Sequence, residues 1–149
     1  MNDTRFDEAQ LSLHIVRIED LEDGSVLGTG FFAAPGWVLT CAHVVEDARR
    51  PAIAPDPRLA DGSALTATVQ ARSPGSPDEA FWPFPDLALL RLDREFAHPC
   101  APIEAAVPDQ DCYAWGFARH GYAGPEWTGV SVVFRDVFAN RETYDTRAA

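Results

Sequence analysis

Two stretches of this sequence combine residue types that move protons with a frame able to aim them. The first runs Gly28-Thr29-Gly30-Phe31-Phe32-Ala33-Ala34-Pro35-Gly36-Trp37-Val38-Leu39-Thr40-Cys41-Ala42-His43-Val44-Val45. Phe31 and Phe32 are β-prone, Pro35-Gly36 is a turn dipeptide, and Trp37-Val38-Leu39 resumes an apolar strand. Thr40-Cys41-Ala42 then leaves the sheet in small residues, which predicts a short helix at His43. A histidine held just past a rigid strand can be aimed, and its titration near neutrality suits it to proton shuttling. The second stretch is Phe84-Pro85-Asp86-Leu87-Ala88-Leu89-Leu90-Arg91-Leu92, where a carboxylate stands at the mouth of a strongly apolar strand. Taken alone, an acid in that place reads as a turn cap.

The other reactive residue types sit in blander contexts. Ser73 and Ser76 lie among turn residues with no activating base beside them, and His14 occupies an exposed position in an alternating strand, a structural role. Arg49-Arg50 reads as a solvated helix end. His98 and Cys100 are two apart, as are Cys41 and His43, but no Cys-x-x-Cys pair supports a metal centre, so no metal is expected. Cys112 opens an apolar strand, where a buried structural thiol is the ordinary reading.

Composition limits what these residues serve. The 149 residues suffice for one ordinary domain, and 46% hydrophobic residues allow a real core. Twelve prolines and ten glycines punctuate the chain often, which favours many short strands over long helices. A formal charge of -11 repels phosphate backbones and anionic headgroups, so nucleic acid and membrane surfaces are not expected partners. No apolar run reaches the length of a membrane span, and the polar start Met1-Asn2-Asp3-Thr4 lacks the basic and apolar blocks of a secretory signal. Three cysteines, an odd number, make no secreted-type disulfide framework. Together these features predict a cytoplasmic protein.

The elements follow in order. Residues 11–18 read as a strand, 19–25 as an acidic turn ending in Gly, and 26–40 as the two strands around Pro35-Gly36. This is an antiparallel meander without βαβ spacing. Residues 44–50 make one or two helical turns that Pro51 stops. Turns at 55–57 and 61–63 precede a strand over 65–71, in which Leu65, Ala67, Val69 and Ala71 alternate with Thr and Gln. A loop follows over 72–79, then the strand after Asp86, a proline-bounded connection over 93–102, and a strand over 111–117. A Gly-rich loop carrying His120 leads to a strand over 128–138 and a polar tail.

The ordered set Gly-Thr-Gly-Phe-Phe, Pro-Gly-Trp-Val-Leu-Thr and Cys-Ala-His-Val-Val resembles the histidine motif of the trypsin-like serine peptidases, in its bacterial form. Asp86-Leu87-Ala88-Leu89-Leu90-Arg91-Leu92 resembles the aspartate motif of the same family, in the right order and at similar spacing. The resemblance implies an all-β fold: a trypsin-like β-barrel of antiparallel meander and Greek-key strands, with the first barrel complete and the second begun. It places the first barrel, carrying His43 and Asp86, at residues 10–98, and the crossover with a partial second barrel at 99–149. It implies that a buried Asp86 accepts Nδ1–H from His43, fixing the tautomer and stabilising the imidazolium formed when the ring takes a proton from a nucleophile. No metal or organic cofactor is implied.

The sequence departs from the family at the nucleophile. No Gly-x-Ser-Gly turn occurs, and Ser131, the one serine after Asp86, lies inside a strand between Val130 and Val132. Two readings stay open. The chain is a portion of a serine endopeptidase, inactive by itself, whose serine, oxyanion hole and pocket come from elsewhere, with peptides or proteins as substrates once completed. Alternatively it is a non-catalytic trypsin-like binding or scaffold module. An unfinished second barrel would expose an unpaired edge, so a complementing carboxy-terminal segment or self-association is expected.

Overall fold

A computed structural model describes residues 8–76, 82–83, 85–104, 111–117 and 127–133. After a short helix α1 (Glu8–Leu11) come strands β1 (Ile15–Glu19), β2 (Val26–Ala34) and β3 (Trp37–Thr40), then a 3-10 helix, Ala42–Val45. Strands β4 (Ala52–Ala54), β5 (Ala67–Arg72) and β6 (Ala88–Leu92) complete one sheet, and β7 (Asp111–Phe117) with β8 (Trp127–Val133) form a second. The larger sheet is antiparallel throughout and runs β4-β1-β2-β3-β6-β5. Its two edges meet: Ala52 bridges Thr66, Ile53 N–H donates to the Leu65 carbonyl at 2.8 Å, and Val69 N–H donates to the Arg49 carbonyl at 3.1 Å. The sheet thereby curls on itself and hides the edges an open sheet would expose. No helix among the described residues is long and apolar enough to cross a membrane.

The period of two along each strand decides what fills the interior. Val16 and Ile18 on β1, Phe32 on β2, Val38 on β3 and Leu90 on β6 are all fully buried. The register sets them on one face, pairing Val16 with Gly30, Ile18 with Gly28, Phe32 with Val38 and Val38 with Leu90. Gly28 and Gly30 point the same way, and there a larger residue has no room. A Cβ on Gly30 would lie 2.7 Å from Val38 Cγ1 and 3.1 Å from Ile18 Cδ1. The Pro35-Gly36 turn forms as expected, with Gly36 at φ +78°, a conformation that glycine takes without strain.

Four sequence expectations need correction. The first strand begins at Ile15, because residues 11–14 finish α1 in a turn. His14 therefore lies outside the strand, with its Nδ1 2.9 Å from the Gln10 carbonyl oxygen. The helix after β3 is a 3-10 turn that starts before His43 and ends at Val45, short of the expected residue 50. Strand β4 was not expected. Its three residues Ala-Ile-Ala carry too little pattern to reveal a strand, and pairing with β1 creates it. The alternation of 65–71 holds for Leu65 and Ala67, then breaks where the register shifts between Val69 and Ala71, which leaves Ala71 exposed. The Gly-rich loop with His120, the end of the last expected strand over 134–138, and the polar tail lie outside the described residues.

The loop after β4 is tied to α1 by charge. Asp56 accepts hydrogen bonds from Arg58 Nε at 2.9 Å and Nη2 at 3.0 Å, and the same Nη2 donates to Ser12 Oγ and to the Ala9 carbonyl, each at 2.6 Å. Arg58 beside it holds the Asp56 carboxyl well below the usual carboxylate range, against the opposing effect of burial. An unfolded aspartate titrates near pH 3.9. The folded value is lower, so the stabilisation is present above that pH and is lost as pH falls below it. The expected outcome is a denaturation midpoint that falls from pH 6 to pH 3 in the wild type and falls less in Asp56→Asn, as read by urea unfolding at each pH. Parallel pH curves for the two proteins would contradict this account.

Candidate active site

The register of two strands brings His43 and Asp86 together. β3 pairs with β6 so that Thr40, at the end of one, lies opposite Ala88, at the start of the other. His43 lies three residues past Thr40, and Asp86 lies two residues before Ala88, so both emerge at the same end of the barrel. Asp86 grips His43 twice. Its Oδ2 lies 2.5 Å from His43 Nδ1, and its Oδ1 accepts the His43 backbone N–H at 3.0 Å. The carboxylate thus fixes the ring through one oxygen and its backbone through the other. With Nδ1–H donated to Asp86, Nε2 is left as the basic nitrogen.

The expected burial of Asp86 is only partly met. Its side chain is 26% exposed and that of His43 53% exposed. Asp86 stands at the rim of the barrel between exposed Pro85 and exposed Leu87, where the strand has not yet entered the core. Two concavities flank the pair. A polar cleft of about 280 Å³ touches His43, Asp20, Asp23, Glu46 and Asp47. An apolar groove of about 240 Å³ is lined by Ile15, Phe31, Leu39, Cys41 and Leu87, with Thr29 beside them.

Several residues that no local motif marks support the pair. Ser73 lies in the loop after β5. Its Oγ accepts the Leu87 N–H at 3.1 Å and the Trp82 indole N–H at 3.3 Å, while its own N–H donates to the Leu87 carbonyl at 2.8 Å. Ser73, expected to serve a local turn, instead anchors the residue next to Asp86. Its partners lie nine and fourteen residues downstream, beyond any local pattern. Arg72 Nη1 donates to the carbonyls of Val45 at 3.0 Å and Glu46 at 2.5 Å, capping the 3-10 turn that carries His43.

Gly28 supports that turn from below. A Cβ there would lie 2.7 Å from Val44 Cγ2 and 3.0 Å from Val44 Cγ1, and Val44 adjoins His43. Gly28→Ala is expected to cost about 1–3 kcal/mol by overpacking. It should also move the His43 ring resonances in NMR, because Val44, buried next to His43, must shift to make room. Unchanged stability with unchanged His43 resonances would show that the close approach does not constrain the site.

The remaining candidates fall elsewhere. His98 is structural: it stacks on Phe32 with centroids 3.8 Å apart, and its Nε2 accepts the Gly36 N–H at 3.0 Å. Cys100 Sγ lies 3.9 Å from His98 Nδ1, which also faces the Pro99 carbonyl at 3.0 Å. Ser131 pairs with Tyr113 within β8, inside a strand as expected. The side chain of Cys112 lies outside the described residues. The spacing of Cys41 from His43 suggests no metal centre, yet its sulfur, a His43 ring nitrogen and an Asp86 oxygen lie within 4.8 Å of one another. Burial, and next the charge of Asp86, push the Cys41 thiol pKa up.

The second sheet is fastened to the first beside this site. Phe117 N–H donates to Thr29 Oγ1 at 2.5 Å, and that hydroxyl lies 3.1 Å from the Phe117 carbonyl oxygen. Gly116 makes room for it, since a Cβ there would lie 2.6 Å from Thr29 Oγ1.

Residues 28–147 match the family of trypsin-like peptidase domains. Among solved structures, one described as "Structure of GrC" resembles the chain with a TM-score of 0.55 and 19% sequence identity, over 84% of this chain. At that identity the likeness speaks to the fold. The chain spans 61% of the length of that structure. None of the curated proteins matches it.

Proposed function

Because the chain belongs to the trypsin-like peptidase domain family, we propose that it is the histidine- and aspartate-bearing portion of a serine endopeptidase. The two-point contact between Asp86 and His43 carries this reading. In the completed enzyme a serine hydroxyl attacks a peptide carbonyl while His43 Nε2 takes its proton. His43 then passes that proton to the leaving amine, and water repeats the sequence to release the acyl group. Asp86 keeps the proton on Nδ1 and stabilises the imidazolium between the two transfers. This chemistry draws on no metal and no organic cofactor.

None of the six serines in the chain stands in a Gly-x-Ser-Gly turn. We therefore place the nucleophile, oxyanion hole and specificity pocket outside these 149 residues. Residues 10–98 act as the first barrel, and 99–149 as the crossover and the beginning of a second. The apolar groove beside Cys41, with Leu87 at its rim 50% exposed, supports a complementing segment or a second copy of the chain as its cover. Substrates are peptides or proteins, and the charge of -11 disfavours nucleic acid and anionic membranes. The three cysteines, an odd number that builds no disulfide framework, support a cytoplasmic setting. The lack of a serine elbow favours one other reading, a non-catalytic binding module.

The chain by itself is expected to turn over no peptide esters across a broad panel. Turnover that vanishes in His43→Ala would overturn this and demand another nucleophile within the chain.

A further inference from the structure

We propose that Cys41, His43 and Asp86 form a binding site for a thiophilic divalent cation such as Zn²⁺, and that filling it silences the pair. The binding site rests on the placement of three side chains and the silencing rests on the peptidase reading, so the metal titration can fail or succeed whatever the fate of that reading.

Their ligand atoms lie within 4.8 Å of one another, so a point exists within about 2.8 Å of all three. Zinc bonds sulfur at about 2.3 Å and imidazole nitrogen at about 2.0–2.1 Å. Cys41 needs to close by less than about one ångström, and the His43 and Asp86 ligand atoms, 2.5 Å apart at Nδ1 and Oδ2, need to open by a similar amount. Cys41 and His43 are both exposed among the described residues, so their rotamers can adjust. The sulfur of Cys41 is also uncommitted to its turn, since the residue caps the 3-10 helix without a side-chain hydrogen bond.

The donor set selects the ion. One thiolate, one imidazole and one carboxylate suit zinc, whereas magnesium and calcium require oxygen ligands. Three protein ligands leave a fourth position for water. At neutral pH the Cys41 thiol carries its proton, and the cation displaces it: the S–H bond breaks, the sulfur–metal bond forms, and one proton enters solvent. Affinity therefore rises with pH. Either ring nitrogen gives the same functional result. At Nε2 the cation occupies the lone pair that would accept a proton, and at Nδ1 it breaks the bond to Asp86.

His98 and Cys100 form a pair only, with His98 Nδ1 facing the Pro99 carbonyl, so they serve as the control.

The test is titration of the 149-residue chain with Zn²⁺ by calorimetry, and with Co²⁺ by absorption. One saturable site per chain and a sulfur-to-cobalt charge-transfer band are expected. Cys41→Ala should remove the band and weaken zinc binding by about 100-fold or more. His43→Ala should weaken zinc binding while leaving thiolate contact, and the double variant Cys100→Ala/Cys112→Ala should bind like the wild type. Circular dichroism and urea unfolding establish that Cys41→Ala is folded, and Cys41→Ser is the substitute if it is not. A charge-transfer band that survives the loss of Cys41, or zinc binding that no Cys41 variant alters, overturns the proposal. So does the absence of saturable binding.

Discussion

His43→Ala lowers kcat of the serine-completed enzyme by about 10⁶-fold, and Asp86→Asn lowers it by about 10⁴-fold. The first effect follows from removing the group proposed to take the serine proton. The second is more diagnostic, because it changes no volume. The carbonyl oxygen of an asparagine can still accept the His43 backbone N–H where Oδ1 now does, at 3.0 Å. Its amide NH₂ then faces Nδ1, where Oδ2 now sits at 2.5 Å. Two donors cannot share that contact, so the ring moves its proton to Nε2 and no longer offers a base there. Steady-state kinetics on a peptide ester measures both losses, with KM little altered. A fall of less than tenfold in either variant would mean that the pair is not the proton relay.

The second expected result concerns stability. Phe32→Ala costs about 3–5 kcal/mol in equilibrium urea unfolding. Phe32 is fully buried and faces Val38 across the β2–β3 pairing. Its ring carries His98 at a centroid distance of 3.8 Å and Phe96 at 6.1 Å. Truncation therefore leaves a cavity and unseats the imidazole that accepts the Gly36 N–H. It also loosens the chain leaving the barrel, where Ala101 N–H donates to the Phe32 carbonyl at 2.8 Å. Phe32→Leu retains most of the volume and costs less. A loss under about 1 kcal/mol for the alanine would show that this part of the interior is not close-packed.

How far the sequence foretold this arrangement depends on the range over which each signal acts. The strands around Pro35-Gly36 and after Asp86 were readable because apolar runs and a turn dipeptide are local properties. His43 and Asp86 stand out in the sequence because each belongs to a long ordered pattern. Their contact depends on Thr40 lying opposite Ala88, a register that no single stretch specifies. β4 escaped notice because three residues hold no periodicity and its pairing partner β1 lies more than thirty positions earlier in the chain. Ser73 reads in sequence as a turn residue, yet its hydroxyl accepts the N–H of Leu87, the residue after Asp86. Gly28 reads in sequence as a motif glycine, and only packing reveals that its missing side chain makes room for Val44.

The measurement that bears most directly on the central claim is made on the protein from its own source. Native mass is determined together with labelling by a fluorophosphonate, which reacts with an activated serine. The account predicts that the label lands on a Gly-x-Ser-Gly serine, either in a chain heavier than 16.3 kDa or in a companion chain that stays bound. It also predicts that labelling disappears in His43→Ala. A lone species of 16.3 kDa that takes no label would contradict it. His43 and Asp86 would then be parts of a binding module that performs no hydrolysis.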